Sequence, residues 1–420
     1  MMKTIDYVEI EGRSSGYLAL VAILGLLAFA GLGASYYMEH RGHWVTGMSN
    51  QIVWGTPHIF AVFLIVAASG ALNVASIASV FGRVMYKPLS RFSGLLAIAL
   101  LVGGLVVLVL DLGRPDRLIV AMTSYNFKSV FAWNIFLYTG FILIVAAYLW
   151  MMMERRMNRY SKPVGMFAFV WRLALTTGTG SIFGFLVARE SFDAAIMGPM
   201  FVVMSFSYGL AFFILSLMWV YRASDWLLGD AILQKLKNLL GVFVGGALYF
   251  VLVYHLTNLY ITEHHGVEQF VLVSGGIYTQ AFWFGVVILG SVIPFLIFYI
   301  PSTGRSRLGI MIGSLLVIVG GLAHMFVIII GGQAYPLSMF PGKEVVVAQS
   351  GTFNFYGVAS YAPSLPEIVL GVSGVAIALL LVSIALKVLR FLPDSLADDV
   401  VFPEGSATVE KEGVSASADA

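Results

Sequence analysis

Ten stretches of this chain are apolar for long enough to cross a bilayer, and that limits what it can fold into more than any motif does. A spanning helix needs about 20 such residues. The stretches cover residues 16–37, 53–81, 92–112, 130–153, 164–188, 198–221, 239–262, 278–300, 308–332 and 367–389. Hydrocarbon offers a backbone no hydrogen-bond partner, so each run must close its own bonds as a helix. None alternates apolar and polar residues as a barrel strand does. Charged residues make up 11% of the chain, against roughly 25% in a soluble domain. The expected fold is an all-α polytopic membrane protein with ten transmembrane helices.

Lys and Arg orient the spans. With the N-terminus in the cytoplasm, seventeen of the 24 basic residues fall in cytoplasmic segments. Six fall in outer loops, and Arg172 lies within a span. Every cytoplasmic segment is basic, so both termini are expected inside. The first run is longer than a signal peptide's apolar core of roughly 7–15 residues, and it reads as a retained span. Residues 1–392 form the expected transmembrane domain. Residues 393–420 are acidic and rich in Ser and Ala, and read as a disordered cytoplasmic tail. The loop 333–366 is the longest outer segment and is expected to fold over that face.

A short repeat suggests internal organisation. Ser129-x3-Trp133-x6-Gly140 in span four resembles Thr279-x3-Trp283-x6-Gly290 in span eight. A four-helix unit, spans two to five (residues 53–188), would then recur as spans six to nine (residues 198–332). Spans one and ten would flank the pair. Gly180-x3-Gly184, Gly241-x3-Gly245 and Gly309-x3-Gly313 are expected sites of close helix packing.

The strongest local signal is Asp111-Leu-Gly-Arg-Pro-Asp-Arg117, at the end of the third run. An Asp closing a membrane helix normally faces a protein interior or a wet cavity, where it can pair. A polar pocket fits the motif, and so does an interfacial loop that snorkels its charges to water. Other polar residues gather at the same level. His58 opens span two, Trp133 and Asn134 lie in the outer part of span four, and His255 and Asn258 share one face of span seven. Gln280 opens span eight, and His324 lies past the middle of span nine. Asn73 and Arg172 are the main exceptions in the inner half.

Each residue also has a plain structural reading. His58 could be interfacial, Trp133 an aromatic-belt anchor, and Asn258 an interhelix hydrogen bond. His324 could bond a backbone carbonyl, and Arg172 could neutralise a buried acid. Glu263, His264 and His265 read as a solvated loop. As a set, a His, an Asp, an Arg and aromatics in a pocket open to lipid suit a quinone. Its two carbonyls need donors, and its redox chemistry moves protons as well as electrons. The candidate quinone-binding residues are His58, Asp111, Arg114, Trp133, Asn134, His255 and Asn258. A proton could leave outward through Asp111 and Asp116. An inner route would need Arg172 with Thr176, Thr177, Thr179, Ser181 and Asn73, unless those hydroxyls simply bond their own helix. The chain has no Cys, which removes disulfides, thiolate-bound iron–sulfur clusters and c-type haem.

Asp111-Leu-Gly-Arg-Pro115, the Trp54-x3-His58 segment and the ten-span plan together resemble the NrfD/PsrC family. These are quinone-interacting membrane subunits of multi-subunit respiratory oxidoreductases. The resemblance covers roughly residues 16–390. Around His58 to Arg83, and in length, the chain is similar to the DsrP branch of the sulfite-reductase-linked DsrMKJOP complex, which suggests sulfur metabolism. HybB-like and alternative-complex-III-like members share the plan.

The resemblance implies two four-helix bundles, with a quinone or menaquinone site at the outer face of the first, and no haem or metal cluster. It also implies an extracytoplasmic ferredoxin-like iron–sulfur partner, further redox subunits, and a bacterial or archaeal cytoplasmic membrane. His58 matches the family's quinone-site His, and Asp111 and Arg114 match its motif. His255, Asn258, Trp133 and Asn134 rest on the residue argument alone. Two other classes compete: a haem b cytochrome using an axial pair from His58, His255 and His324, and a secondary transporter with a midplane site.

Overall fold

The computed structural model describes residues 6–337 and 358–401. The middle of the loop 333–366 and the tail beyond residue 401 lie outside the described residues. In chain order the long helices are α1 Ser15–Arg41, α2 Thr56–Ser79, α3 Val84–Leu110, α4 Val130–Met153, α5 Ser161–Gly184, α6 Met197–Ala223, α7 Asp230–Tyr260, α8 Ile277–Tyr299, α9 Arg307–Ala334 and α10 Leu365–Val388. Among the described residues, all of these except α5 are long and apolar enough to cross a membrane. α5 has the length, but Arg172 and its run of Thr and Ser make it less apolar.

The helices begin and end where local chemistry allows. Pro57 sits in the first turn of α2, where its missing N–H is no loss. α10 starts with a reciprocal capping box between Ser364 and Glu367. α3 stops at Asp111, and Pro115 opens a short 3₁₀ turn just beyond it. α2 is broken at Leu72, between Ala71 and Asn73. Ser93 of α3 repairs the break: its hydroxyl donates to Ala71 O (2.7 Å) and accepts from Ala75 N (3.1 Å). A freed backbone pair inside a membrane protein needs such a partner.

Packing closes two rings. α2 meets α3 and α5, α3 meets α4, and α4 meets α5. α6 meets α7 and α9, and α8 meets both α7 and α9. α10 lies on α2 and α3, with α1 outside it. The rings join through α2, α5, α6 and α9. At the α2–α6 crossing the backbones touch: a Cβ on Gly70 would overlap Ser205 O, and one on Gly209 would overlap Ala71 N. Gly180 and Gly184 likewise admit the carbonyls of Met197 and Ala194. Gly241 and Gly313 instead accommodate the rings of Tyr299 and Phe298.

The second ring has an unusual winding. Residues 270–274, 281–292 and 327–331 are π-helical. Such wider turns are rare and concentrate at functional sites.

The expected disorder from residue 393 is corrected as far as residue 401. Leu392–Pro393 pairs antiparallel with Tyr7–Val8, and Ser395–Leu396 pairs parallel with Leu227–Leu228. Asp398–Val401 is a helical turn. Leu392 and Leu396 are fully buried, and Tyr221 donates to Pro393 O at 2.6 Å. These apolar anchors hold a segment whose composition alone reads as solvated.

Candidate functional site

His58 comes from the first turn of α2, and Asp111 caps the C-terminus of α3. Because α2 and α3 run antiparallel, both residues meet at the same end of the protein. His58 Nδ1 and Asp111 Oδ2 are 2.8 Å apart, and the Asp111 side chain is only 1% exposed. The ring N–H is not in line for a hydrogen bond, and neither Asp111 oxygen has another partner. A buried carboxylate left this way is costly and short of donors.

One aromatic ring lies on this pair, and others gather behind it. Trp54 stacks on His58 with centroids 6.1 Å apart. It also meets Phe131 of α4, Phe183 of α5 and Phe192 of the following loop. The backbone that carries Trp54 is held from two sides. Val53 N and Trp54 N both donate to Gln333 Oε1, at 2.9 and 3.0 Å, and Gln333 Nε2 returns a bond to Trp54 O. Thr56 N donates to Tyr361 Oη, which donates to Glu367 Oε1 at 2.7 Å. Burial raises the Tyr361 phenol above its ordinary value, so it stays a donor. Arg189 adds bonds to Gln333 O and Gln51 O.

The remaining motif residues point elsewhere. Arg114 pairs with Asp116 at 3.2 Å, and both are exposed. The hydrogen bond from Arg114 holds the Asp116 carboxyl below its ordinary range. Arg114 therefore does not line the His58 pair, because the turn at Pro115 carries it out to the surface. Trp133 is half exposed and donates to Phe127 O at 2.9 Å. Asn134 is buried, but it gives its amide hydrogens to Val130 O and Gly178 O. On α4 it is Phe131 that reaches Trp54, since residues two apart face away from one another.

His255 and Asn258 were expected beside His58 and instead form a separate set. Glu268 lies in the short helix His265–Gln269, which folds back on α7, and is 1% exposed. Its Oε2 is 2.7 Å from His255 Nδ1, and its Oε1 accepts from Asn258 Nδ2 at 2.9 Å. Asn258 Oδ1 meets His264 Nδ1 at 3.1 Å. His264 is buried, which corrects its reading as a solvated loop residue. His324 lies 3.4 Å from the Tyr208 hydroxyl.

The expected inner route on α5 has few free groups. Thr176, Thr179 and Ser181 donate to carbonyls one turn back on their own helix. Arg172 is buried, donates to Ser69 O at 3.2 Å, and lies against the rings of Phe169 and Phe206. Its contacts tie α5 to α2 and α6. Asp116, the other expected proton carrier, faces solvent. Among the described residues no three His, Asp or Glu side chains gather as a metal site.

Sequence reasoning missed Glu268, Gln333, Glu367 and Phe131. Glu268 carried one usable signal, an acid just beyond a helix with a buried His. Gln333 and Glu367 had none, because their partners lie in distant segments.

The model of the polysulphide reductase NrfD family matches residues 44–336. An Hdr-like menaquinol oxidoreductase integral membrane subunit of Archaeoglobus fulgidus is 29% identical, covering 94% of this chain and 99% of that protein. A selenate reductase subunit of Mesobacillus selenatarsenatis is 21% identical, covering 87% of this chain and 92% of that protein.

Proposed function

This chain belongs to the polysulphide reductase NrfD family, and from that premise we propose that the His58–Asp111 pair is where it exchanges protons with a quinol. It is a quinone-interacting membrane subunit of a respiratory oxidoreductase. The observation that carries the site is the buried Asp111 carboxylate with no hydrogen bond, beside an imidazole stacked on Trp54. A quinol hydroxyl would reach the pair through the imidazole, since the His58 side chain is 17% exposed and that of Asp111 only 1%. Trp54 and the exposed Phe131 would offer apolar faces to a flat ring, with Phe183 packed behind Trp54.

His58 Nδ1 faces Asp111, which leaves Nε2 for the substrate. In quinol oxidation Nε2 accepts the hydroxyl proton, and Asp111 orients the ring and offsets its charge. Reduction runs the same transfer backwards. Gln333, Tyr361 and Glu367 do not touch the substrate. They fix the α2 terminus so that Trp54 and His58 keep their geometry.

The relative named a menaquinol oxidoreductase subunit supports menaquinol as the substrate. The basic-residue pattern supports an outward-facing site in the cytoplasmic membrane, with both termini inside. An extracytoplasmic iron–sulfur subunit docked near this end would exchange the electrons. The test is His58→Ala in the assembled complex. Quinol oxidation should fall while subunit composition stays the same, and normal turnover would reject the site.

A further inference from the structure

The quinone chemistry proposed above takes only the supporting Gln333 from the second ring, yet that ring buries Glu268, His255, His264 and His324. Two small cavities lie inside it. One, of about 30 Å³, has mostly apolar walls, with Ser191, Tyr254, His255 and His324 as its polar lining. The other, of about 20 Å³, is likewise mostly apolar, with Ser207, Tyr208, Ser291 and again His324 as its polar lining. A water needs roughly 10–15 Å³ and two or more polar partners. The cavities therefore have room for about two waters and about one.

Each cavity is also lined by a serine whose buried hydroxyl lacks a partner, which a water there would satisfy. Ser191 lines the first and Ser207 the second, and neither Oγ has a partner in the protein. All three π-helical segments border these cavities, through Val271, Phe282, Ser291 and Ile328.

We infer that the α6–α9 ring carries a water-lined proton path from the His58 end of the protein to its middle. It runs from Glu268 and His255, across the first cavity to His324 and Tyr208, and through the second cavity to Ser207 and Ser291. Glu268 is the carboxylate, His255 and His324 are the imidazoles, and waters close the gaps between them. His264 and Glu190, which interact electrostatically, mark the entrance. Ser314 is buried without a partner on the same stripe of α9 as His324 and Gly321, and continues the line toward the far end. The wet path stands on these cavities alone, and only its coupling to electron transfer rests on the quinone reading.

The complex is purified with its native partners and reconstituted in vesicles holding a trapped pH dye, with menadiol as donor and ferricyanide as acceptor. Glu268→Gln and His324→Phe should each lower the protons moved per quinol at least fivefold. With an uncoupler present, their menadiol oxidation should stay within twofold of the unmodified complex. Proton ratios unchanged in both variants would overturn the path.

A second measurement needs no variant. Hydroxyl-radical footprinting of the unmodified complex should oxidise buried Tyr208, Tyr254 and Met200, as bound water would bring the radical to them. If only exposed residues such as Met311 are labelled, the cavities are dry and the path is rejected. A failed His58→Ala test would reject the quinone site and leave the footprint result standing.

Discussion

The two rings each bury a carboxylate against a histidine, and they treat it in opposite ways. In the first, Asp111 touches His58 at 2.8 Å but neither of its oxygens makes a hydrogen bond. In the second, both oxygens of Glu268 are bonded, one to His255 and one to Asn258. An unsatisfied buried acid is costly to keep and is relieved by whatever brings a donor. A satisfied one is stable alone and can hand protons along a chain. The surroundings divide less sharply. Aromatic rings flank both histidines, Trp54 stacked on His58 and Tyr254 and Phe282 edge-on to His255, and the second pair also borders a small cavity and π-helical turns. One end of the protein thus offers two acid–histidine pairs that differ in hydrogen bonding, the first proposed to receive a quinol and the second to relay a proton.

The largest expected effect breaks the contrast directly. His58→Ala should lower quinol oxidation by at least about 100-fold, the usual worth of a positioned acid–base group. His255→Ala should change the uncoupled rate far less. Equal losses in steady-state assays of the two variants would merge the sites into one.

Gln333→Ala tests whether the first pair depends on its anchored backbone. It leaves Val53 N and Trp54 N without acceptors, at a cost of about 2–4 kcal/mol. Thermal unfolding in detergent should show that loss, together with about a tenfold fall in turnover. Full activity with lowered stability would show that Gln333 holds the fold and not the site.

Arg172→Leu sharpens the comparison from the first ring's inner half. Its contacts to Ser69, Phe169 and Phe206 make it a packing group, so protons moved per quinol should match the unmodified complex. A lowered ratio in vesicles would restore a proton route through α5.

The smallest effect concerns the exposed turn. Asp116 is held below its ordinary range by the hydrogen bond from Arg114. Its contribution is therefore present at neutral pH and is lost as the pH falls through that lowered value. Arg114→Gln should move the acid-side loss to higher pH while changing the neutral rate less than about twofold. A pH–rate profile checks this, and a large drop at neutral pH would place Arg114 in the quinone site after all.

The spans were legible in the chain because apolar runs of bilayer length have no other stable form. His58 and Asp111 were legible as neighbours because consecutive antiparallel spans bring such ends together. Trp133 stood out by residue type, yet the half-exposed helix face it occupies gives it to a backbone carbonyl, and Phe131 two residues earlier takes the inner position.

Tertiary structure alone decided the rest. His264 looks like a solvated loop residue until the chain folds the segment 265–269 back against α7, which buries it together with Glu268. Gln333 and Glu367 hold the α2 terminus across hundreds of residues of sequence, and no local pattern encodes that reach. Gly70 and Gly209 set the crossing of the two rings, though neither sits in a paired-glycine motif. Hydrophobicity is a property of each segment and can be read along the chain. Hydrogen-bond satisfaction is a property of pairs, and it exists only once the segments have met.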